Sequence, residues 1–115
     1  MYLQHVLLTS LDGREGELEA ALLEVRQRVF MSPGFRGFSV AQGAENPAAY
    51  LVRTRWETLE ELVEHGTSGR MERCWAPVQP FLARPPVVDH FVERENLGMY
   101  GPGVITWTGI VGGGS

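Results

Sequence analysis

Cysteine is nearly missing from this chain: Cys74 is the single one among 115 residues. No intramolecular disulfide and no cysteine-rich zinc pattern can therefore form, which fits a reducing compartment. Long hydrophobic runs are missing too. No stretch of roughly 18 apolar residues occurs, and Met1-Tyr2-Leu3-Gln4-His5 lacks the basic region and apolar run of an export signal. The expectation is a cytoplasmic protein with no membrane partner. Positive charge is in short supply, with 10 Lys and Arg against 14 Asp and Glu and a net charge of −4. Arg26, Arg28, Arg53 and Arg55 sit among carboxylates instead of forming a basic run, so nucleic acid is not an expected partner. No internal repeat of useful length is present.

What is there belongs to an ordinary folded domain. A hydrophobic fraction of 43% against a charged fraction of 21% excludes disordered and fibrous classes. A single domain of this length buries only about two-thirds of its unfolded surface, so one core, supplemented by a partner, is the expectation. Dense apolar residues from Tyr2 to Thr9 ahead of the turn Ser10-Leu11-Asp12-Gly13 predict a first strand. Asp12 and Glu15 have the spacing of a cap and its reciprocal partner. Leu18, Leu22, Val25 and Val29 then give helical periodicity over about 14–30. Ser32-Pro33-Gly34 ends that helix, because Pro33 donates no backbone proton and disfavours helical geometry in Ser32.

Strands over about 35–42 and from Ala49 to Trp56 flank the turn Gly43-Ala44-Glu45-Asn46-Pro47 and predict a hairpin. A short acidic helix follows, with Leu59, Leu62 and Val63 as its apolar stripe and Gly66 as its left-handed stop. Met71, Cys74, Trp75, Val78, Phe81 and Leu82 keep helical spacing. Pro77 and Pro80 require that helix to kink or end near Arg73 to Ala76. After Pro85-Pro86, Val87 to Glu93 reads as the fourth strand. Residues 1–95 form the expected domain and 96–115 a C-terminal tail. In the tail Val104 to Val111 has the composition of a strand that a partner could exchange, and Gly112-Gly113-Gly114-Ser115 reads as flexible linker.

The order β-α-β-β-α-β, with the second helix broken, is that of an α+β ferredoxin-like unit with helices on one sheet face. Pro33-Gly34-Phe35-Arg36-Gly37-Phe38, the junction Arg55-Trp56-Glu57, His65 and Arg84-Pro85-Pro86-Val87 resemble the antibiotic biosynthesis monooxygenase family of dimeric α+β barrels. The resemblance covers about residues 2–93. It implies a homodimer whose two sheets close into a barrel, and a pocket in each subunit between sheet and helices. In the family's monooxygenases that pocket holds a polycyclic phenol or anthrone, and oxygen reacts with no metal, flavin or haem. Other members degrade haem, isomerise their substrates or have no known activity, so the pattern speaks for fold more than for chemistry.

Cofactor-free oxygenation needs a base, and the three histidines His5, His65 and His90 are the natural ones. His5 shares a strand row with Leu3, Leu7 and Thr9, which faces either the pocket or the barrel interface. His65, at a helix C-terminus, has a ready structural role beside the functional one. His90 shares a face with Val88 and Val92, again pocket or interface. Trp56 matches the family's tryptophan, and strand parity puts Tyr50, Val52 and Thr54 on its face as substrate-binding candidates. Quinone-forming relatives carry Asn four residues before that tryptophan. Here Val52 replaces it, which takes away an amide that would hold a substrate oxygen. The haem-degrading branch carries an axial histidine at about the place of Trp75, so haem is disfavoured and Trp75 joins the pocket candidates. Arg53 and Arg55 alternate away from Trp56, toward ion pairs or a phenolate. Cys74 reads as core, and Tyr100 and Trp107 as part of a lid or a docking segment.

The expectation is a homodimeric, cofactor-independent monooxygenase acting on a hydrophobic polycyclic aromatic substrate such as a polyketide intermediate. A cyclase or isomerase using the same pocket and a histidine base stands beside it. So does a non-catalytic small-molecule binder.

Overall fold

The computed structural model describes residues 1–94 of the chain. Its elements are β1 (Tyr2–Thr9), α1 (Glu15–Val29), β2 (Phe35–Gln42), β3 (Ala49–Trp56), α2 (Leu59–Thr67), α3 (Arg70–Trp75), a 3₁₀ segment (Ala76–Phe81) and β4 (Val87–Val92). The strands form one sheet in the order β2-β3-β1-β4, and every pairing is antiparallel. This is the ferredoxin-like α+β arrangement expected above.

Register decides which side chains meet. Val6 lies opposite Val52 and Val88, Gln4 opposite Thr54 and His90, and Tyr2 opposite Trp56 and Val92. Directly opposed residues point to the same side of a sheet, so these rows, with Leu8 and Tyr50, share one face. The helices cover it. Leu18, Leu22, Val25 and Val29, one stripe of α1, bury against that face, and Leu62, Trp75 and Val78 complete the core. The opposite rows, Leu3-His5-Leu7 with Leu51-Arg53-Arg55 and Val87-Asp89-Phe91, lie on a face that no helix covers among the described residues. That face mixes apolar and charged side chains.

Local chemistry sets the element ends. Gly34 takes φ +83 after Pro33, a left-handed value open to glycine, and its carbonyl accepts from Glu57 N–H at 2.8 Å. Thr58 caps α2, its Oγ1 accepting from Glu61 N–H at 3.1 Å. In the β2–β3 turn Asn46 Oδ1 accepts from Ala48 N–H, and Gln42 Nε2 donates to Pro47 O. Pro77 and Pro80 fall in the 3₁₀ segment that follows Trp75, which is where the second helical stretch was expected to break. Backbone bonds from Leu11 N–H to Phe81 O and from Ala83 N–H to Thr9 O, both 2.8 Å, moor this segment to the end of β1.

Three local expectations need correction. Asp12 does not cap α1: the helix starts after Arg14 with no side-chain cap. Gly66 does not stop α2, which continues to Thr67, and the left-handed glycine is Gly69 at φ +84. The buried stripe of α2 is Leu62 with His65, whereas Leu59 and Val63 are about half exposed. The proposed strand from Val104 to Val111 and the lid residues Tyr100 and Trp107 lie outside the described residues.

Candidate active site

The expected site residues fall into three places. Trp56, Thr54, Val52 and Tyr50 line up on the covered face of β3 and are all buried. Trp56 Nε1 donates to Thr54 Oγ1 at 2.9 Å. The indole ring meets Phe35 edge-on, with centroids 5.9 Å apart, and packs against His65 at 4.7 Å. His65 is 1% exposed, its Nδ1 lies 3.5 Å from Ser32 Oγ, and its Nε2 has no partner among the described residues. Burial, assisted by the Arg70 cation, lowers its pKa to about 4. This cluster is interior packing around a neutral imidazole.

His5 stands on the uncovered face. Arg53 Nε donates to its Nε2 at 3.2 Å, and the Phe91 ring lies 4.6 Å away. Burial and the Arg53 cation both lower its pKa, with Asp89 acting against them. It does not meet the other candidates.

His90, exposed on the edge strand β4, is on the same side of the sheet as Gln4, and Trp75 lines a groove on that side. Gln4, buried in the middle of β1, places its Nε2 3.1 Å from His90 Nε2 and 3.6 Å from Met71 Sδ. Beside them runs a groove of about 190 Å³ between the β1–β4 strands and α3. Val6, Val88, Met71, Trp75 and Pro86 give it apolar walls, and Glu72 and Gln79 lie at its border. Trp75 Nε1, on a lining residue, and Gln4 Oε1, on the same strand face as the lining residue Val6, are buried and have no partner among the described residues. Buried polar atoms are normally satisfied, so an acceptor and a donor left open beside an apolar groove are what a ligand with polar substituents would use.

Gln4 serves the imidazole in either of two ways. Its amide N–H can donate to Nε2, which leaves the Gln4 carbonyl open but occupies the imidazole lone pair, or the carbonyl can accept from Nε2–H, which uses that carbonyl and leaves Nδ1 as the basic nitrogen. Both fix the tautomer. Gln4 and Met71 were not singled out from sequence, although a lone glutamine inside the apolar run of β1 was the available signal. Parity relative to His5 is what places it: neighbouring residues of a strand face opposite sides.

The sequence profile described as antibiotic biosynthesis monooxygenase matches residues 1–76. The chain belongs to that family. Among solved structures, a candidate antibiotic biosynthesis monooxygenase of Bordetella bronchiseptica superposes with a TM-score of 0.71 at 24% identity, covering 82% of this chain and 98% of that one. One from Deinococcus radiodurans gives 0.71 at 15% identity, over 88% of this chain and all of its own. At these identities the likeness is one of fold. Protein SchA of Streptomyces halstedii is 26% identical over 90 residues, which are 78% of this chain but 24% of SchA, so the chain spans about a quarter of that relative. Among the described residues no helix is long and apolar enough to cross a membrane, and no three metal-ligating side chains cluster.

Proposed function

We propose that this family member is a monooxygenase that binds a hydrophobic fused-ring aromatic substrate in the groove between β1, β4 and α3, with no resident cofactor. The observation that carries the reading is the imidazole of His90, hydrogen-bonded to buried Gln4 on the same sheet face as Val6 and Val88, which wall an apolar groove. Such a base removes a proton from an acidic ring methylene, as in an anthrone. The resulting anion passes one electron to dioxygen, and the radical pair joins to form a carbon–oxygen bond. Loss of water, with cleavage of the second carbon–hydrogen bond, leaves a carbonyl. One oxygen atom ends in product and the other in water, and the substrate supplies all the electrons. Gln4 and Trp75 would hold the substrate's polar groups, and Trp56 would support the groove from the core. The enzyme would act as a homodimer, its uncovered sheet face packed against that of a second copy.

A non-oxidative reading, isomerisation or cyclisation of an enolisable substrate, is favoured by Val52, a fully buried valine where quinone-forming relatives have asparagine. Oxygen uptake with an anthrone separates the two. The monooxygenase reading expects stoichiometric uptake, and replacing His90 by Ala should lower it by at least about 100-fold, the ordinary contribution of a general base. Turnover without oxygen consumption would move the assignment to the isomerase. Full activity in a folded His90→Ala variant would remove the base from this site.

A further inference from the structure

At the far edge of the sheet from the β1–β4 groove, α1 and the edge strand β2 stand apart around a second and larger cleft of about 380 Å³. Its walls are apolar, formed by Leu22 and Leu23 of α1 and by Phe38 and Val40 of β2. Leu23 is 61% exposed and Val40 44% exposed, because β2 extends past the cover that α1 provides. At one end the buried hydroxyl of Tyr50 donates to Glu19 Oε2 at 2.6 Å and lies 3.1 Å from Gln42 Nε2. Those bonds engage Glu19 Oε2 and Gln42 Nε2, so among the described residues the remaining oxygens of both side chains are left to accept. This end asks for a hydroxyl or N–H donor, and its carboxylate repels an anion.

The other end is cationic. Arg14 and Arg28 of the same region pair with Glu17 and Glu24, but no carboxylate among the described residues lies within ion-pair distance of Arg26. Its neighbours at helical spacing, Leu22, Leu23, Val29 and Phe30, are all apolar. Glu19 and Arg26 are separated by seven positions along α1, on the order of 10 Å at 1.5 Å per residue, and the leucines fill the interval.

From this we infer a second small-molecule site, built for a rigid aromatic hydroxy acid. Its ring system lies on Leu22, Leu23, Phe38 and Val40, its hydroxyl donates to Glu19 or Gln42, and its carboxylate pairs with Arg26. The site is separate from the groove at His90 and does not depend on the reaction proposed there.

The probe is a hydroxynaphthoic acid carrying its hydroxyl and carboxylate at opposite ends, titrated into the full chain and followed by methyl NMR. Saturable binding should shift the Leu22, Leu23 and Val40 methyls and leave those of Val6 and Val88 in place. Arg26→Gln, on an exposed side chain, should weaken binding about tenfold or more, and Val40→Glu should abolish it. The parent naphthoic acid and the parent naphthol should each bind more weakly than the probe. His90→Ala should leave the affinity unchanged while removing turnover. Equal affinity for the Arg26→Gln variant, or shifts centred on Val6 and Val88, would overturn the inference.

Discussion

His65 is a buried imidazole whose neighbours give a proton no stabilisation. Trp56 packs against its ring, Ser32 is a neutral partner, and the charge that acts on it, Arg70, is positive. With a pKa near 4 in the fold against 6.5 for the free group, the folded state holds fewer protons between those values than the unfolded chain does. The contribution of neutral His65 is therefore complete above about pH 6.5 and is lost as the pH falls toward 4. At about 1.36 kcal/mol per unit the loss amounts to up to roughly 3 kcal/mol. Urea midpoints measured from pH 7 to pH 4 should fall accordingly, and His65→Phe should flatten the profile. A parental midpoint independent of pH across this window would disprove the neutral core histidine. Of the three histidines, sequence could name the residues but not their surroundings. Trp56, Thr54, Val52 and Tyr50 were readable as one face because strand parity is strict. The separation of His5 from His90 depends on which face the helices cover, and that is settled only by packing. Gln4 escaped notice because its importance lies in its contact with His90, 86 residues away.

Elements were legible where apolar periodicity met a strong local stop. Pro33, Pro77 and Pro80 act on the backbone itself, so their effects are independent of the rest of the fold. The start of α1 was less legible, since a helix held by four buried residues on one stripe does not require a side-chain cap. Gly66 was misread for a related reason: one more helical residue lets Thr67 Oγ1 donate to Val63 O before Gly69 turns the chain. Gly34 is the most constrained joint between elements. A methyl group there would meet the left-handed backbone penalty of roughly 1–2 kcal/mol and also collide with the Glu61 carboxylate. Gly34→Ala should therefore lower stability by about 2 kcal/mol or more in chemical denaturation, and adding Glu61→Ala should recover only the part due to the carboxylate, since Glu61 Cβ itself would lie 2.8 Å from the new methyl. A neutral Gly34→Ala substitution would show that the β2 entry is not held as described.

For the whole molecule, the order β2-β3-β1-β4 separates a covered face from one that no helix covers among the described residues, and the second is the contact face of the proposed homodimer. Leu7, Val87 and Phe91 are 43%, 51% and 47% exposed on it, close to His5, Arg53 and Asp89. A face of this mixed kind suits a two-fold contact in which charges choose the register and apolar side chains hold it. Leu7→Lys, which adds a cation beside Arg53, should shift the sedimentation of the chain from dimer to monomer while leaving its circular dichroism unchanged. A parent that is already monomeric at high concentration would refute the dimer. Cys74 gives the molecule a different use. Its thiol is 5% exposed next to Ser32 and is made less acidic by burial, and there is no other sulfhydryl in the chain. A disulfide reagent added to the native protein can react only as fast as α3 lifts away from α1, so the labelling rate becomes a clock for breathing of the wall that carries Trp75.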